Sequence, residues 1–140
     1  MPRIICPPEL TFYKLSDGQV EDEWGLPSDV WSMACTIWEI AFSDVMLTYG
    51  SDNDNMLIYE TMKLVGPLPE RWKPYWNSKP FEDSDGNFTV DSDAIWKKRC
   101  LTENDDDTDS AVTVLRDMLC WEPMSRPTAA DLLRHPWFAA

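Results

Sequence analysis

The chain has few of the residues that build catalytic or metal sites. Of its 140 residues only one is histidine, His135, and five are glycine. The cysteines Cys6, Cys35, Cys100 and Cys120 are far apart and form no Cys-x-x-Cys pair. A structural zinc site therefore lacks its ligands. A disulfide scaffold is not expected either, because a chain that is 44% apolar builds a core without staples. Gly18, Gly25, Gly50, Gly66 and Gly86 stand too far apart for a Gly-x-Gly-x-x-Gly or Walker loop. Basic charge is also short, with Lys+Arg 12 against Asp+Glu 25 and a net charge of −13. That balance argues against nucleic-acid binding through a basic stripe and against adhesion to anionic membrane. It suits a basic partner or substrate. The most apolar stretch, Met33 to Phe42, is broken by Thr36 and Glu39 and is too short to span a bilayer. The first eight residues hold no run that reads as a signal peptide. An intracellular protein with reduced thiols is expected, in the cytoplasm, the nucleus or both.

What the chain has is tryptophan, eight residues of it, and a length that suits one domain with a sizeable core. No internal repeat is visible. Residues 1–27 read as an extended, turn-rich lead-in, with Pro7-Pro8 as a breaker and Ser16-Asp17-Gly18 as a turn. Ser28 reads as the N-cap of a helix running to about Phe42. Its apolar residues cover nearly every face, so it is expected to be buried at the centre of the fold. A polar loop from Ser51 to Asn55 leads to a helix over Met56 to Val65, stopped by Gly66-Pro67. Residues 67–109 are weakly periodic, with room for a short helix near Ile95 to Leu101. A third helix is expected from Ser110 to about Trp121, capped by Asp109. Thr128-Ala129-Ala130-Asp131 has the form of a capping box for the last helix. Leu132 and Leu133 are expected to point inward, with Trp137 and Phe138 packing back on the core. The sum is a mainly helical domain.

Tests for local chemistry return little. A calcium loop starting at Asp83 would put Phe88 at position 6 and Ala94 at position 12, where Gly and Glu are needed. Starting at Asp52, position 5 is Met56. A Cys or Ser nucleophile needs a base, and His135 sits at a helix end before Pro136, where a capping role is expected. The acidity is concentrated. From Glu82 to Asp109 there are ten acidic and three basic residues, a net −7 of the chain's −13.

Three signatures stand in an informative order. Pro7-Pro8-Glu9 comes first. Ser28-Asp29-Val30-Trp31-Ser32 opens the apolar helix. Leu119-Cys120-Trp121-Glu122-Pro123-Met124-Ser125-Arg126-Pro127-Thr128 follows, and leads into His135-Pro136-Trp137-Phe138. Together they resemble the C-terminal part of a eukaryotic protein kinase domain, with Pro7-Pro8-Glu9 in the place of the Ala-Pro-Glu that closes the activation segment. Val65-Gly66-Pro67-Leu68-Pro69 and the long stretch before the third helix are most similar to the serine/arginine-rich-protein kinases of the CMGC group. Cys6 stands where that group usually carries Arg, so a proline-directed preference is not implied.

The resemblance implies a mainly α fold, the incomplete C-terminal helical lobe of the protein-kinase-like fold. Residues 1–138 would form a partial kinase domain, with an acidic insert at about 67–109. Glu9 would pair with Arg126 as a structural ion pair. Asp29 would be the anchor of the catalytic loop, or simply a helix N-terminal charge. Glu39 would contact a substrate Arg, or be only a polar break in an apolar helix. Phosphoryl transfer needs a Gly-rich loop, an ATP-gripping Lys, a catalytic-loop Asp with its Asn, and a metal-binding Asp. The sequence contains neither His-Arg-Asp nor Asp-Phe-Gly. No catalytic, cofactor-binding or metal residue is therefore assigned, and ATP and Mg belong to the parent family.

The expectation is a fragment of a serine/threonine protein kinase, inactive by itself. Its partners would be the missing N-terminal part of the kinase domain and an Arg/Ser-rich or otherwise basic protein substrate. The alternative is a non-catalytic kinase remnant, a binding module that docks a basic partner or another kinase chain.

Overall fold

The computed structural model describes residues 6–20, 25–42, 53–103 and 106–138. Residues 1–5, Ser51 and Asp105, which figure in the sequence argument, lie outside them. The order of α-helices is α1 (Pro8–Leu15), α2 (Leu26–Phe42), α3 (Asp54–Val65), α4 (Ser92–Glu103), α5 (Asp106–Met118) and α6 (Ala129–Leu133). Short 3-10 turns cover Lys73–Tyr75, Lys79–Phe81 and Pro123–Ser125. Among the described residues there is no strand, and no helix is long and apolar enough to cross a membrane. The described residues are mainly helical, as the sequence leads one to expect.

The lead-in contains a helix where an extended segment was expected. Pro7 is its N-cap and Pro8 its first residue. Proline's missing N–H costs nothing at that position, and its fixed φ already suits a helix. The Leu10 and Thr11 amides donate to the Pro7 carbonyl at 3.1 and 3.4 Å. The helix ends in the expected turn, with Asp17 at φ 52° and Gly18 at φ 80°. The Gly18 amide donates back to the Tyr13 carbonyl at 2.8 Å.

Helix α2 starts earlier than its Ser28 cap predicts. The Gly25 carbonyl accepts from the Ser28 and Asp29 amides, which places Ser28 inside the first turn. Its hydroxyl is committed elsewhere, to a carboxylate. Val30, Trp31, Ala34, Ile37, Trp38 and Phe42 are buried, as a central helix requires. The helix is not buried all round, however. Leu26, Met33 and Ile40 are 81%, 44% and 68% exposed and recur every seven residues, so they form one stripe.

Helix α3 is capped by the Asn53 side chain and ended by Gly66, whose φ is 104°. Helix α5 packs on α2. It begins before the Asp109 expected to cap it, and Asp109 instead accepts the Thr113 hydroxyl on its carbonyl, at 2.9 Å. Acidic residues favour the first turns of a helix as well as the cap. The capping box of α6 is complete in both directions. Leu132 is buried, but Leu133 is 75% exposed. Adjacent helical positions point about 100° apart, so a short helix lying on a core buries only one of them. Trp137 and Phe138 pack against the core.

The stretch after α3 is ordered by tryptophan. Helix α4 is longer than predicted and presents Trp96, whose indole N–H donates to the Leu64 carbonyl at 2.7 Å. Trp121 does the same to the Gly66 carbonyl at 3.0 Å, and Trp76 to Asn55 at 2.9 Å. Trp72 is fully buried, stacked on Phe12 at 4.7 Å and edge-on to Trp121 at 6.1 Å. Trp96 and Trp121 bury large apolar rings while their N–H groups satisfy carbonyls at the end of α3.

Candidate functional site

The densest polar arrangement joins the beginning of the described chain to its end. Glu9, in the first turn of α1, meets Arg126, just past the Pro123–Ser125 turn. The two Arg126 terminal nitrogens donate to Glu9 Oε1 and Oε2 at 2.9 and 2.8 Å. Both side chains are 0% exposed. Arg126 Nε donates to the Cys120 carbonyl at 2.9 Å, Nη1 also to Pro27 at 2.8 Å, and Nη2 also to Trp121 at 3.3 Å. All five guanidinium N–H groups thus have an acceptor. On the other side, Ser28 donates its hydroxyl to Glu9 Oε1 at 2.8 Å. The guanidinium lies over the Trp31 ring, 5.2 Å from its centroid. One ion pair therefore clamps α1, the start of α2 and the loop before α6. Such a pair holds its shape because every donor and acceptor is satisfied inside a dry site.

The sequence points to Glu9 and Arg126 through motif resemblance alone. It does not point to Ser28, read as a cap, or to the Pro27 carbonyl. Trp31 lies three positions beyond Ser28 on the same helix, which is the one local hint that the two share a face. Asp29 and Glu39 do not join this cluster. Both are exposed on α2, Asp29 in the first turn and Glu39 beside Ile40 near the other end. Ten residues of helix separate them by roughly 15 Å.

Nothing in the arrangement makes a nucleophile. Burial pushes the Cys35 thiol up to about 12 and raises those of Cys6 and Cys120 as well. Thiolates are the reactive form, and burial disfavours that form here. His135 accepts the Trp137 amide on Nδ1 at 3.2 Å and shapes the turn after α6.

A family model described as the protein kinase domain matches residues 6–138. The chain belongs to the protein kinase domain family. Dual specificity protein kinase CLK2 of Mus musculus is 24% identical over 136 residues, covering 91% of this chain and 27% of that protein. Serine/threonine-protein kinase SRPK of Physarum polycephalum is 27% identical over 143 residues, covering 91% of this chain and 33% of that protein. The chain thus spans between about a quarter and a third of these relatives. Among solved structures, a MAP kinase of Leishmania major, LmaMPK10, matches with a TM-score of 0.67 at 18% identity. That match covers 98% of this chain and 37% of the other, and shows the shared fold.

In the family, kinase chemistry requires a nucleotide with Mg. Among the described residues no three His, Cys, Asp or Glu side chains come together as a metal site. The five glycines are isolated from one another and form no Gly-x-Gly-x-x-Gly or Walker motif. Arg126 holds Glu9, and with it the first turn of α1, against the start of α2.

Proposed function

We propose that this chain forms the helical base of a serine/threonine protein kinase and the closing end of its substrate loop. The parent activity is ATP-dependent phosphorylation of protein Ser or Thr. The nucleotide-binding and catalytic residues come from kinase-domain sequence beyond these 140 residues, and the chain by itself is inactive. The Glu9–Arg126 clamp carries this reading, because it serves to hold a loop in place and has no chemistry of its own. Residues 1–138 are the partial domain, and 67–109 its acidic insert. Asp29 anchors the catalytic loop from the exposed first turn of α2. Glu39 meets a substrate Arg. The stripe of Leu26, Met33 and Ile40 seats the rest of the kinase domain, and its exposed apolar side chains support an interface there. The acidity suits an Arg/Ser-rich or basic protein substrate through charge-assisted pairing. Cys6, Cys35 and Cys120 are in no disulfide, which suits an intracellular location, in cytoplasm or nucleus.

The same stripe also favours a second reading, a non-catalytic remnant that docks a basic partner or another kinase chain. Sequencing the full transcript through Met1 separates the two. In-frame Gly-rich, His-Arg-Asp and Asp-Phe-Gly motifs are expected upstream, and their absence sinks the first reading. Calorimetry of the isolated chain is expected to show no saturable ATP binding.

A further inference from the structure

A cavity of about 480 Å3 lies between the C-terminal half of α3 and the segment after it, apart from the ion-pair clamp. That volume falls in the range of roughly 300–1,000 Å3 usual for small-molecule sites. Met62, Leu68, Trp76, Phe88 and Val90 give it apolar walls, and Lys73 is the one ionic side chain in the lining among the described residues. We propose that this cavity binds a small amphiphilic carboxylate, its tail against the aromatic wall and its head on the Lys73 ammonium.

The wall is already built. The Trp76 indole N–H is committed to the Asn55 carbonyl, so the ring offers the cavity only apolar surface. One neighbour, Phe81, lies parallel to it at 5.5 Å and 7°, and is itself stacked on Tyr59 at 4.1 Å. Phe88 stands edge-on to Trp76 at 5.3 Å. A wall braced in this way loses little freedom when a ligand enters, which lowers the cost of binding. Met62, from α3, adapts its shape to an alkyl tail.

The head group is set by Lys73. Its ammonium has three donors, one of which goes to Glu70 Oε1 at 2.5 Å. Glu70 is largely in water, and an exposed pair three residues apart is weakly held. Two donors therefore remain for a carboxylate at the mouth. Ser78, also in the lining, donates its hydroxyl to Glu82 Oε1 at 2.5 Å, which brings a carboxylate near the cavity. A cationic head would be drawn there instead, and the experiment separates the two.

The site is independent of the kinase reading, and its test needs no phosphoryl transfer. The full chain is titrated with octanoate, 1-octanol and octylammonium, which share a tail and differ only in head group. Binding is read by calorimetry and by tryptophan fluorescence. Octanoate is expected to saturate one site about tenfold more tightly than octanol, the value of one partly exposed charge-assisted hydrogen bond. Lys73→Gln, at a half-exposed position, is expected to bring octanoate down to the octanol level and leave octanol unchanged. Val90→Phe, which fills the cavity, is expected to weaken both ligands severalfold. Octylammonium binding tightest, no saturation by any of the three, or Lys73→Gln without effect would each overturn the proposal.

Discussion

Replacing Arg126 by Ala should be among the most damaging single changes in this chain. Five hydrogen bonds leave the guanidinium, two to Glu9 and three to backbone carbonyls. The substitution strands the Glu9 carboxylate at 0% exposure, with only the Ser28 hydroxyl left to it. Removing one partner of a buried pair costs about 3–5 kcal/mol, because the survivor is an uncompensated charge. Whole domains are stable by about 5–15 kcal/mol, so Arg126→Ala consumes a large share. Urea unfolding followed by tryptophan fluorescence measures the loss. Ser28→Ala is the milder probe and should cost about 1.5–3 kcal/mol, the value of a hydrogen bond to a charged group. The double variant Glu9→Leu with Arg126→Met removes both charges and keeps most of the volume. It should be clearly more stable than Arg126→Ala, since no charge is left buried alone. A loss below about 1 kcal/mol for Arg126→Ala, or a double variant no better than the single, would refute the claim that burial makes this pair costly to break.

Gly66→Ala should cost about 1–3 kcal/mol, because φ 104° with ψ −167° is open essentially to glycine alone. A Cβ there would meet Ser92 Oγ at an ordinary 3.7 Å, so the loss in a urea titration reports backbone strain and not a clash. Trp96→Phe should cost about 1–3 kcal/mol by leaving the Leu64 carbonyl without its indole donor, and a chevron or melt of the variant checks it. Asp131 is held below the usual carboxylate range by the Thr128 backbone amide and hydroxyl. Its contribution is therefore present above the unfolded-state value and is lost as pH falls through the lower folded one. Asp131→Asn should flatten the acid limb of stability against pH, and an unchanged limb would count against that assignment.

Local chemistry made some of this fold legible and left the rest dark. The α3 stop at Gly66 and the Thr128–Asp131 box are readable because cap and turn residues act within four positions. Helix α1 is not readable, since Pro7-Pro8 signals a break as strongly as it signals a helix start. The stretch after α3 is equally opaque. Its order comes from indole donors that reach carbonyls 21 to 55 residues away, and no window of sequence contains both partners. Asp29 and Glu39 were legible as residues of interest, yet the structure leaves both in solvent on α2, outside the clamp.

The amino-acid order by itself determined the helical character, the acidity and the motif series that marks a kinase-domain chain. The first two follow from composition, periodicity and short-range caps, which need no knowledge of the rest of the chain, and the motif series is read by its resemblance to the family. Tertiary structure alone decided that Ser28 serves Glu9 and that α2 keeps an open stripe at Leu26, Met33 and Ile40. It also decided that Trp76 walls a cavity. A hydroxyl can cap its own helix or bond a distant carboxylate, and an apolar side chain can face core or water. Only the packing of elements remote in sequence selects between such alternatives, as it does where Glu9 and Arg126 meet across 117 residues.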